Sequence, residues 1–531
     1  ISESGIFEVA DGKYSKTYRF SDVNYATRSE DEQESFFQRY CRCLNSFDCT
    51  FKITVNNKNK DMDVLRNEVM LKYRNDGFDK MRESYNRIIE EKILEGRQGI
   101  EQERYLTITI ERKNFEEAKA QFATIEASMF RSFAELGSKL IPLTGNERLK
   151  ILHDYYRLGR EDEFNFDIRQ GRITGTDFRN EICNTRIKYH PDYFENEGKV
   201  GRVLFIKKYP TYLSDRFFTE LTFLPVHSVT SVDVIPVPKD LTMKMLQKKY
   251  LGIESDIIKQ QRTRNRNNDF SSDISYATRR KKKDIEEIMN NVRENDESLY
   301  YVSVTMIVMA DDRDELESIC ETVDSIAKGA GCAVDTCMYK QREAVNTTLP
   351  IGVRQIETMR TMLTQSLAVL MPFNVQELCD RNSIYYGVNQ ISKNIIVGNR
   401  KKLLNGNGFI FGVSGAGKSF QAKMEMGSVL LSTDDNVIAV DPMNEYEDVT
   451  EKYNGTYINI STNTRNYINP MDMDVWNLDV LDSKGWVRDK CQFMLSICEQ
   501  IMKEITPQQR SIISRCVKDL YMDIARSREK Y

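Results

Sequence analysis

Eight consecutive residues, Gly412-Val413-Ser414-Gly415-Ala416-Gly417-Lys418-Ser419, satisfy the spacing G-x-x-x-x-G-K-[ST]. Glycines let backbone N–H groups turn inward with no Cβ in the way. Consecutive donors can then surround phosphate oxygens where a helix begins and its dipole favours negative charge. In this pattern the Lys418 ammonium reaches the β- and γ-phosphates and the Ser419 hydroxyl ligates Mg²⁺. With Gly at about 7% of residues, the four fixed positions coincide by chance in roughly one chain of this length in fifty. The flanks sharpen the reading. Gly408-Phe409-Ile410-Phe411 runs apolar into the loop as a buried parallel strand does, and Phe420 to Leu431 reads as the helix after it. The alternative is a glycine-rich turn before an ordinary helix. The candidate binding set for ATP with Mg²⁺ is therefore Gly412, Ser414, Gly415, Ala416, Gly417, Lys418, Ser419 and Phe420.

A chain of 531 residues exceeds what one hydrophobic core covers, so at least two domains, and more naturally three, are expected. Formal charge is 76 − 80 = −4, without the global basic excess of bulk nucleic-acid binders, so any DNA contact must be local. The eleven cysteines are odd in number, scattered from Cys41 to Cys516 and preceded by no signal peptide, which points to reduced thiols in the cytosol. Cys41-x-Cys43 with Cys49 lacks a two-plus-two ligand spacing, and His153, His190 and His227 lie elsewhere, so no zinc site is expected. Apolar runs such as Ser366 to Phe373 are less than half the ~20 residues needed to span a bilayer. The chain opens on Ile1 and closes on Ser527-Arg528-Glu529-Lys530-Tyr531 without a helix stop signal, so both ends read as cut.

Taken in order, Gly5 to Tyr25 reads as two short strands about Asp11-Gly12, and Phe51 to Val55 alternates as a half-buried strand should. Helices are expected from about Asp63 to Tyr73 and from about Phe78 to Leu94. Leu106 to Ile110 alternates and leads to Asn114, which with Glu117 makes a capping box; Phe115, Ala118, Phe122, Ile125, Met129, Phe133 and Leu136 then form one stripe. A similar unit recurs at Tyr301 to Val308, with Asp311 and Asp312 as caps, Leu316, Ile319, Val323 and Ile326 at helical spacing, and a stop at Gly329 and Gly331. Two such strand-cap-helix units point to a ferredoxin-like arrangement.

Between them Val200 to Ile206 and Ser228 to Val237 read as strands, and Asp240 to about Arg262 and Tyr276 to about Asn295 as helices joined by the polar loop Asn265 to Ser272. This join holds the one local basic excess: Lys259, Arg262, Arg264, Arg266, Arg279, Arg280, Lys281, Lys282 and Lys283. It is either a patch for DNA, anionic lipid or an acidic partner, or a solvated helical hairpin. The second reading is favoured, because Asp284, Glu286 and Glu287 follow at once. Leu349 to Asn405 reads as a connector, with a short helix at Thr361 to Leu370 and paired strands in Ser383 to Val397. Asn436 to Val440 is a second apolar strand, joined to the first as a βαβ crossover, and it ends in Asp441-Pro442-Met443-Asn444-Glu445-Tyr446. Acids at the carboxyl end of such a strand lie where ligands bind. Glu445 either polarises an attacking water or caps the following turn.

The series Asn405-Gly406-Asn407, Gly412 to Phe420, Lys423, Asp441-Pro442 with Glu445-Tyr446, Gly455, and Ile468-Asn469-Pro470 resembles the VirB-type conjugative transfer ATPases of type IV secretion systems, within the wider HerA/FtsK group of RecA-like motors. The resemblance covers roughly Tyr385 to Pro470, and the Asp-Pro-x-x-Glu-Tyr element is its most specific part. It implies an ATPase that energises channel or pilus assembly and DNA or protein transfer. Such a protein sits peripherally on the cytoplasmic face of the cell membrane, among other secretion-channel subunits, and often forms a homo-hexamer. Lys418 and Glu445 carry over as catalytic residues, the loop residues as ATP contacts, and Ser419 and Asp441 as Mg²⁺ ligands. DNA contact would be local, at Arg279, Arg280, Lys281, Lys282 and Lys283. A HerA/FtsK-like DNA translocase and a nucleotide-regulated assembly scaffold are the alternatives.

A RecA-like motor also needs a strand closing in an acid pair and an arginine supplied in trans. No such strand follows Val440. Trp486 to Glu504 and the segment from Thr506-Pro507 onward read as helices. The expected fold is α/β: an N-terminal α+β part with ferredoxin-like elements, then an incomplete RecA-like P-loop motor domain with a helical insertion. Its expected divisions are residues 1–210, 211–350 with the basic helical hairpin, a connector at 351–404, and the motor domain at 405–531. On that reading the segment alone binds nucleotide weakly and turns over little.

Overall fold

The computed structural model describes the chain except for residues 60–65, 67–68, 96–99, 184–185, 211, 267–275, 295, 377, 379–382, 391–393, 462–463, 465, 467–468, 473–482, 503 and 529–531. Alternation of apolar and polar side chains sets its first half. β1 (Ile6–Ala10) and β2 (Lys13–Phe20) form an antiparallel hairpin about Asp11-Gly12. There follow α1 (Glu30–Asn45), β3 (Thr50–Asn59), α2 (Asp79–Glu95), β4 (Ile100–Glu111), α3 (Phe115–Leu136) and β5 (Leu140–Pro142). β5 pairs with β2, β2 with β4 and β4 with β3, all antiparallel. From β2 to β5 this is a β-α-β-β-α-β run whose last strand lies outside its first. Helix α2 occupies the connection between its two middle strands.

After α4 (Gly145–Tyr156), α5 (Ile168–Thr174), α6 (Phe178–Ile182), β6 (Ile187–Tyr189) and β7 (Phe194–Asn196), the same plan recurs. Its elements are β8 (Lys199–Lys208), α7 (Arg216–Thr222), β9 (Ser228–Val237), α8 (Lys239–Arg266), α9 (Tyr276–Glu294), β10 (Leu299–Ala310), α10 (Arg313–Gly329) and β11 (Ala333–Thr336). Pairing again runs β11 to β8, β8 to β10 and β10 to β9. The helical hairpin α8/α9 fills the connection that α2 fills in the first run. β3 pairs antiparallel with β9, from Phe51 opposite Val234 to Asn57 opposite Ser228. The two runs therefore meet about a local two-fold at Thr54 and Ser231, whose hydroxyls lie 2.8 Å apart. Among the described residues their eight strands belong to one 12-stranded antiparallel sheet, which β1, β6, β7 and a short strand at Arg360–Leu363 complete.

One face of each strand is apolar. Phe51, Ile53, Val55, Leu106, Ile108, Val232, Val234, Val302, Val304 and Met306 join residues of α1, α3 and α10 in a single core. Full burial of side chains like these stabilises by about 1.5–3 kcal/mol each. On the opposite face, polar side chains of β2, β3 and β4 hold the segment that follows α11 (Gln341–Thr348), and beside them Val203, Val229, Ile307 and Met309 form a second apolar cluster with Ala344, Val345 and Leu349. Ser15 donates to the Ile351 carbonyl at 2.6 Å, Thr109 to that of Gly352 at 3.2 Å, and buried Lys52 to that of Val353 at 3.0 Å. A one-residue slip in any of these strands would exchange the two faces.

Asn114 and Asp312 cap their helices, but Glu117 meets the Asn114 side chain and does not complete a capping box, and Asp311 is not a cap. Asn114 accepts from the Glu117 N–H and Asp312 from that of Glu315, each at 2.9 Å. Of the first stripe, Ala118, Phe122, Met129, Phe133 and Leu136 are buried, and Phe115 and Ile125 pack partly buried against them. Gly329 closes α10 instead of stopping it, and the left-handed residue is Gly331, at φ 73°. Of the helix expected at about 63–73, residues 63–65 and 67–68 lie outside the described residues, Arg66 and Val69 are helical, and Leu71 to Tyr73 are not. The helix expected at Thr361 to Leu370 is instead β12 (Arg360–Leu363) followed by the short α12 (Thr364–Ala368). The cause is an edge left open: β8 pairs with residues 305–310 of β10, and β12 takes residues 299–302 along the same strand.

β13 (Ile384–Val388) and β14 (Ile395–Gly398) pair antiparallel, and α13 (Lys418–Ser432) follows the loop. The parallel strands expected on either side of α13 are a correction. Gly408 to Phe411 and Asn436 to Val440 form no ladder with any described residue. Phe409, Phe411, Ile438 and Val440 are 85%, 87%, 93% and 92% exposed. A parallel strand is held by neighbours on its edges and by helices on its faces. Without them, alternation alone leaves Phe409 and Phe411 stacked on each other, centroids 5.7 Å apart.

The chain divides into two compact units, Ile1–Val437 and Ile438–Tyr531. The second holds α14 (Glu447–Lys452), α15 (Ser483–Met502) and α16 (Pro507–Arg528). α15 and α16 close on Val487, Val517 and Tyr521, and the Tyr521 hydroxyl donates to the Met471 carbonyl at 2.6 Å. Thr506 and Gln509 cap α16 reciprocally, with Pro507 as its first residue. Among the described residues no helix is long and apolar enough to cross a membrane.

Candidate nucleotide-binding site

The loop is built by two left-handed glycines and one folded-back lysine. Gly415 and Gly417 have φ of 79° and 88°, and Gly417 is the residue from which α13 starts. An L side chain in that region is disfavoured by roughly 1–2 kcal/mol. The Ala416 N–H donates to the Val413 carbonyl at 3.2 Å, closing the turn. Lys418 Nζ donates to the carbonyls of Gly412 and Val413 at 2.8 and 3.0 Å. The ammonium thus lies over the start of the loop, while the first amides of α13 lie at its end. Gly412, Ser414, Gly415, Ala416, Gly417 and Lys418 are exposed, Phe420 is exposed at the start of the helix, and Ser419 is half-buried. The chemistry of this set fits a phosphate chain: a fixed cation, backbone donors and a hydroxyl able to ligate Mg²⁺.

Behind the loop, α13 is held along its length. Gln421 donates to the Tyr386 carbonyl at 3.1 Å, and Glu425 pairs with Arg400 at 2.6 Å. The Arg400 guanidinium also lies 5.4 Å from the Tyr386 ring centre. At the far end the fully buried Arg82 of α2 donates through Nε to the Leu431 carbonyl at 3.1 Å. Its two other nitrogens are held by Asp76, at 2.7 and 2.6 Å, and by Asp79, at 2.7 Å. Hydrogen bonding from Arg82 holds the Asp76 carboxyl well below the usual carboxylate range. Arg74 donates to the Ser432 carbonyl at 2.6 Å and to Asp434 at 2.8 Å. Sequence reasoning missed Arg74, Arg82 and Arg400. Its only available signal was the Asp79/Arg82 spacing of three within a helix, a common surface pattern.

Asp441 and Glu445 belong to the second compact unit. Asp441 accepts from the N–H groups of Glu445 at 2.7 Å, Tyr446 at 2.8 Å and Met443 at 3.2 Å, so its carboxylate closes the turn. Desolvation works to raise its pKa, but the amides of Tyr446, Glu445, Met443 and Asn444 together hold it below the ordinary value. Glu445 is exposed, and its N–H belongs to that turn. In the Asn-Pro element, Asn469 accepts from the Met471 N–H at 3.0 Å, and Ile468 lies outside the described residues.

Of the basic residues, Arg279, Arg280, Lys281 and Lys283 are exposed on α9. Lys282 pairs with Glu254 of α8 at 3.0 Å and lies over Tyr250, which ties the hairpin together. The side chains of Arg264 and Arg266, and most of the loop expected at 265–272, lie outside the described residues. A cleft of about 850 Å³ opens on the sheet beside Lys52, Asp233 and Arg354. Its charges are mutually engaged: Arg354 lies 3.2 Å from Asp233, and Lys52 donates to carbonyls of the crossing segment. That cleft is therefore read as structural.

Comparison with known proteins adds a family for this region. Residues 399–526 match the family described as Helicase HerA, central domain, which belongs to the HerA/FtsK P-loop superfamily. The matched segment contains the loop, α13, the Asp441 turn, α15 and most of α16. No curated protein matches the chain.

Proposed function

We propose that the chain is a P-loop ATPase that energises a conjugative or type IV secretion machine. It binds ATP with Mg²⁺ at residues 412–419 and couples nucleotide turnover to channel or pilus assembly and to passage of DNA or protein. The carrying observation is the Lys418 ammonium drawn over the Gly412 and Val413 carbonyls beside the first turn of α13, in a segment matching a P-loop family. The bound Mg²⁺ would neutralise charge developing on the terminal phosphate. Lys418 would exchange its two carbonyl partners for phosphate oxygens, the loop amides would fix the phosphate chain, and Ser419 would face the metal. Glu445 would orient the attacking water. The secretion role rests on the Asp441-Pro442-x-x-Glu445-Tyr446 and Asn469-Pro470 elements. It carries with it a peripheral cytoplasmic position on the cell membrane, contacts with other channel subunits, and a homo-hexamer.

The test is titration of the chain with a fluorescent ATP analogue and Mg²⁺. Wild type binds, and Lys418→Ala loses at least tenfold in affinity, as expected for removing a charged phosphate contact worth about 1.5–3 kcal/mol. Binding that is unchanged by Lys418→Ala sinks the site.

A DNA translocase is the second reading, favoured by the family match and by exposed Arg279, Arg280, Lys281 and Lys283. It requires DNA affinity that falls steeply with salt and loses slope, by about one per contact, when these residues are neutralised. A flat salt dependence removes it.

A further inference from the structure

The helix that carries the phosphate loop is gripped at its opposite end by a segment of the first β-α-β-β-α-β run. α13 spans Lys418–Ser432, so its ends lie roughly 20 Å apart. The last carbonyls of a helix have no partners within it, and they carry the negative end of its dipole. Here two arginines from the β3–β4 connection supply both donors and positive charge. Arg82 reaches the Leu431 carbonyl, and Arg74 reaches the Ser432 carbonyl and the Asp434 carboxylate.

The grip is itself rigid. Asp79 accepts from the backbone N–H groups of Arg74 and Asn75, each at 3.0 Å, and Asp76 from that of Phe78 at 3.0 Å. These are the same two carboxylates that hold the Arg82 fork. The turn at residues 74–79, the guanidinium and the helix end therefore form one hydrogen-bonded body. An apolar contact backs it: Val69, Tyr85 and Ile89 bury Val397 of β14, with Leu71, Tyr385 and Ile395 around them. The hairpin β13/β14 in turn holds the side of α13 through the Tyr386 carbonyl. The connection that carries these residues leaves β3, the strand through which the first run pairs with the second.

We propose that Arg82 and Arg74 are positioning residues for the nucleotide. They fix the axial position of α13, and so of the phosphate loop, and they pass nucleotide occupancy to the segment at residues 71–86 of the first run. The inference rests on the nucleotide reading of residues 412–419. Neither arginine touches the loop; both act through α13. Coupling between two sites is reciprocal. If the grip raises affinity for nucleotide, nucleotide must tighten the grip by the same factor.

Two measurements on the whole chain test this. A fluorescent ATP analogue with Mg²⁺ is titrated into wild type, Lys418→Ala, Arg74→Ala and Arg82→Lys, and amide hydrogen exchange is followed at residues 71–86 with and without nucleotide. Arg74 is on the surface, so Arg74→Ala keeps the fold even if the Arg82 variant does not. Expected are affinities about five- to tenfold weaker for Arg74→Ala and for Arg82→Lys, within the usual range of coupling. Nucleotide should slow exchange at residues 71–86 in wild type and leave it unchanged in Lys418→Ala. Lys418-dependent binding with unaltered affinity in Arg74→Ala, or with no change in exchange at residues 71–86, overturns the inference and leaves the site standing. Absence of Lys418-dependent binding in wild type removes the site, and the inference falls with it.

Discussion

His227 is 8% exposed, and among the described residues neither ring nitrogen finds a hydrogen-bond partner. Desolvation, with Lys58 and Lys199 adding like charge, lowers its pKa from 6.5 to about 4. The folded chain therefore refuses a proton that the unfolded chain accepts. Above pH 6.5 neither state is protonated, and the residue contributes no pH dependence. As pH falls from 6.5 towards 4 the unfolded state binds more protons and stability is lost, by about 3 kcal/mol over the whole window. Denaturant melts of wild type and His227→Leu at pH 7 and pH 4.5 check this: the difference in stability between the two pH values should shrink in the variant. Equal pH dependence in both would show that His227 is charged or solvated in the fold. None of this is visible in the sequence, where His227 lies between Val226 and Ser228 like any strand-entry residue. Burial of a titratable group depends on what crosses over it, and local pattern carries no record of that. The phosphate loop is the opposite case. Its pattern lies in neighbouring residues and is legible in the sequence, whereas Arg82, which meets the Leu431 carbonyl across 349 positions, is not.

Elements whose cause is local follow the sequence closely. β9 occupies Ser228–Val237 as its alternation indicates, and α3 starts after Asn114, whose side chain takes the Glu117 N–H. Removing that acceptor with Asn114→Ala should cost about 1 kcal/mol, while Asn114→Asp, which keeps an oxygen in place, should cost little. Chemical denaturation of the two variants side by side checks it, and equal losses would mean that the cap is solvated. Elements whose cause is remote depart from the sequence. Thr361 to Leu363 reads as the start of an apolar helix but belongs to a strand, because β8 leaves Leu299 to Val302 without a partner on that edge. Gly408 to Phe411 and Asn436 to Val440 have every local mark of buried strands but form no ladder among the described residues, since strand formation requires an edge to pair with. Alternation states which face a strand would bury; it does not state whether a partner is present.

At the scale of the whole molecule, the two runs repeat one topology, of which the sequence shows only the recurring strand-cap-helix unit at Leu106 to Leu136 and at Tyr301 to Ile326. Each extends the same connection, the first by α2 and the second by α8 and α9. The extension of the first run reaches the phosphate-loop helix, and that of the second carries the exposed basic residues. The shared sheet thus presents two different attachments on one plan. Stability should be distributed as unevenly as the core. The sheet unit buries one large cluster running through β2, β3, β4, β8, β9 and β10, whereas the second unit closes on Val487, Val517 and Tyr521 with Met471, Cys491, Met494 and Ile513 packed around them. Opening free energies scale with the apolar area that an element must expose, so the two units should not open together. In native-state hydrogen exchange at increasing denaturant, amides of α15 and α16 should exchange through an opening of lower free energy and smaller denaturant slope than those of β3, β4 and β9. If both groups instead merge onto one opening with one slope, the small helical core is not an independently opening unit.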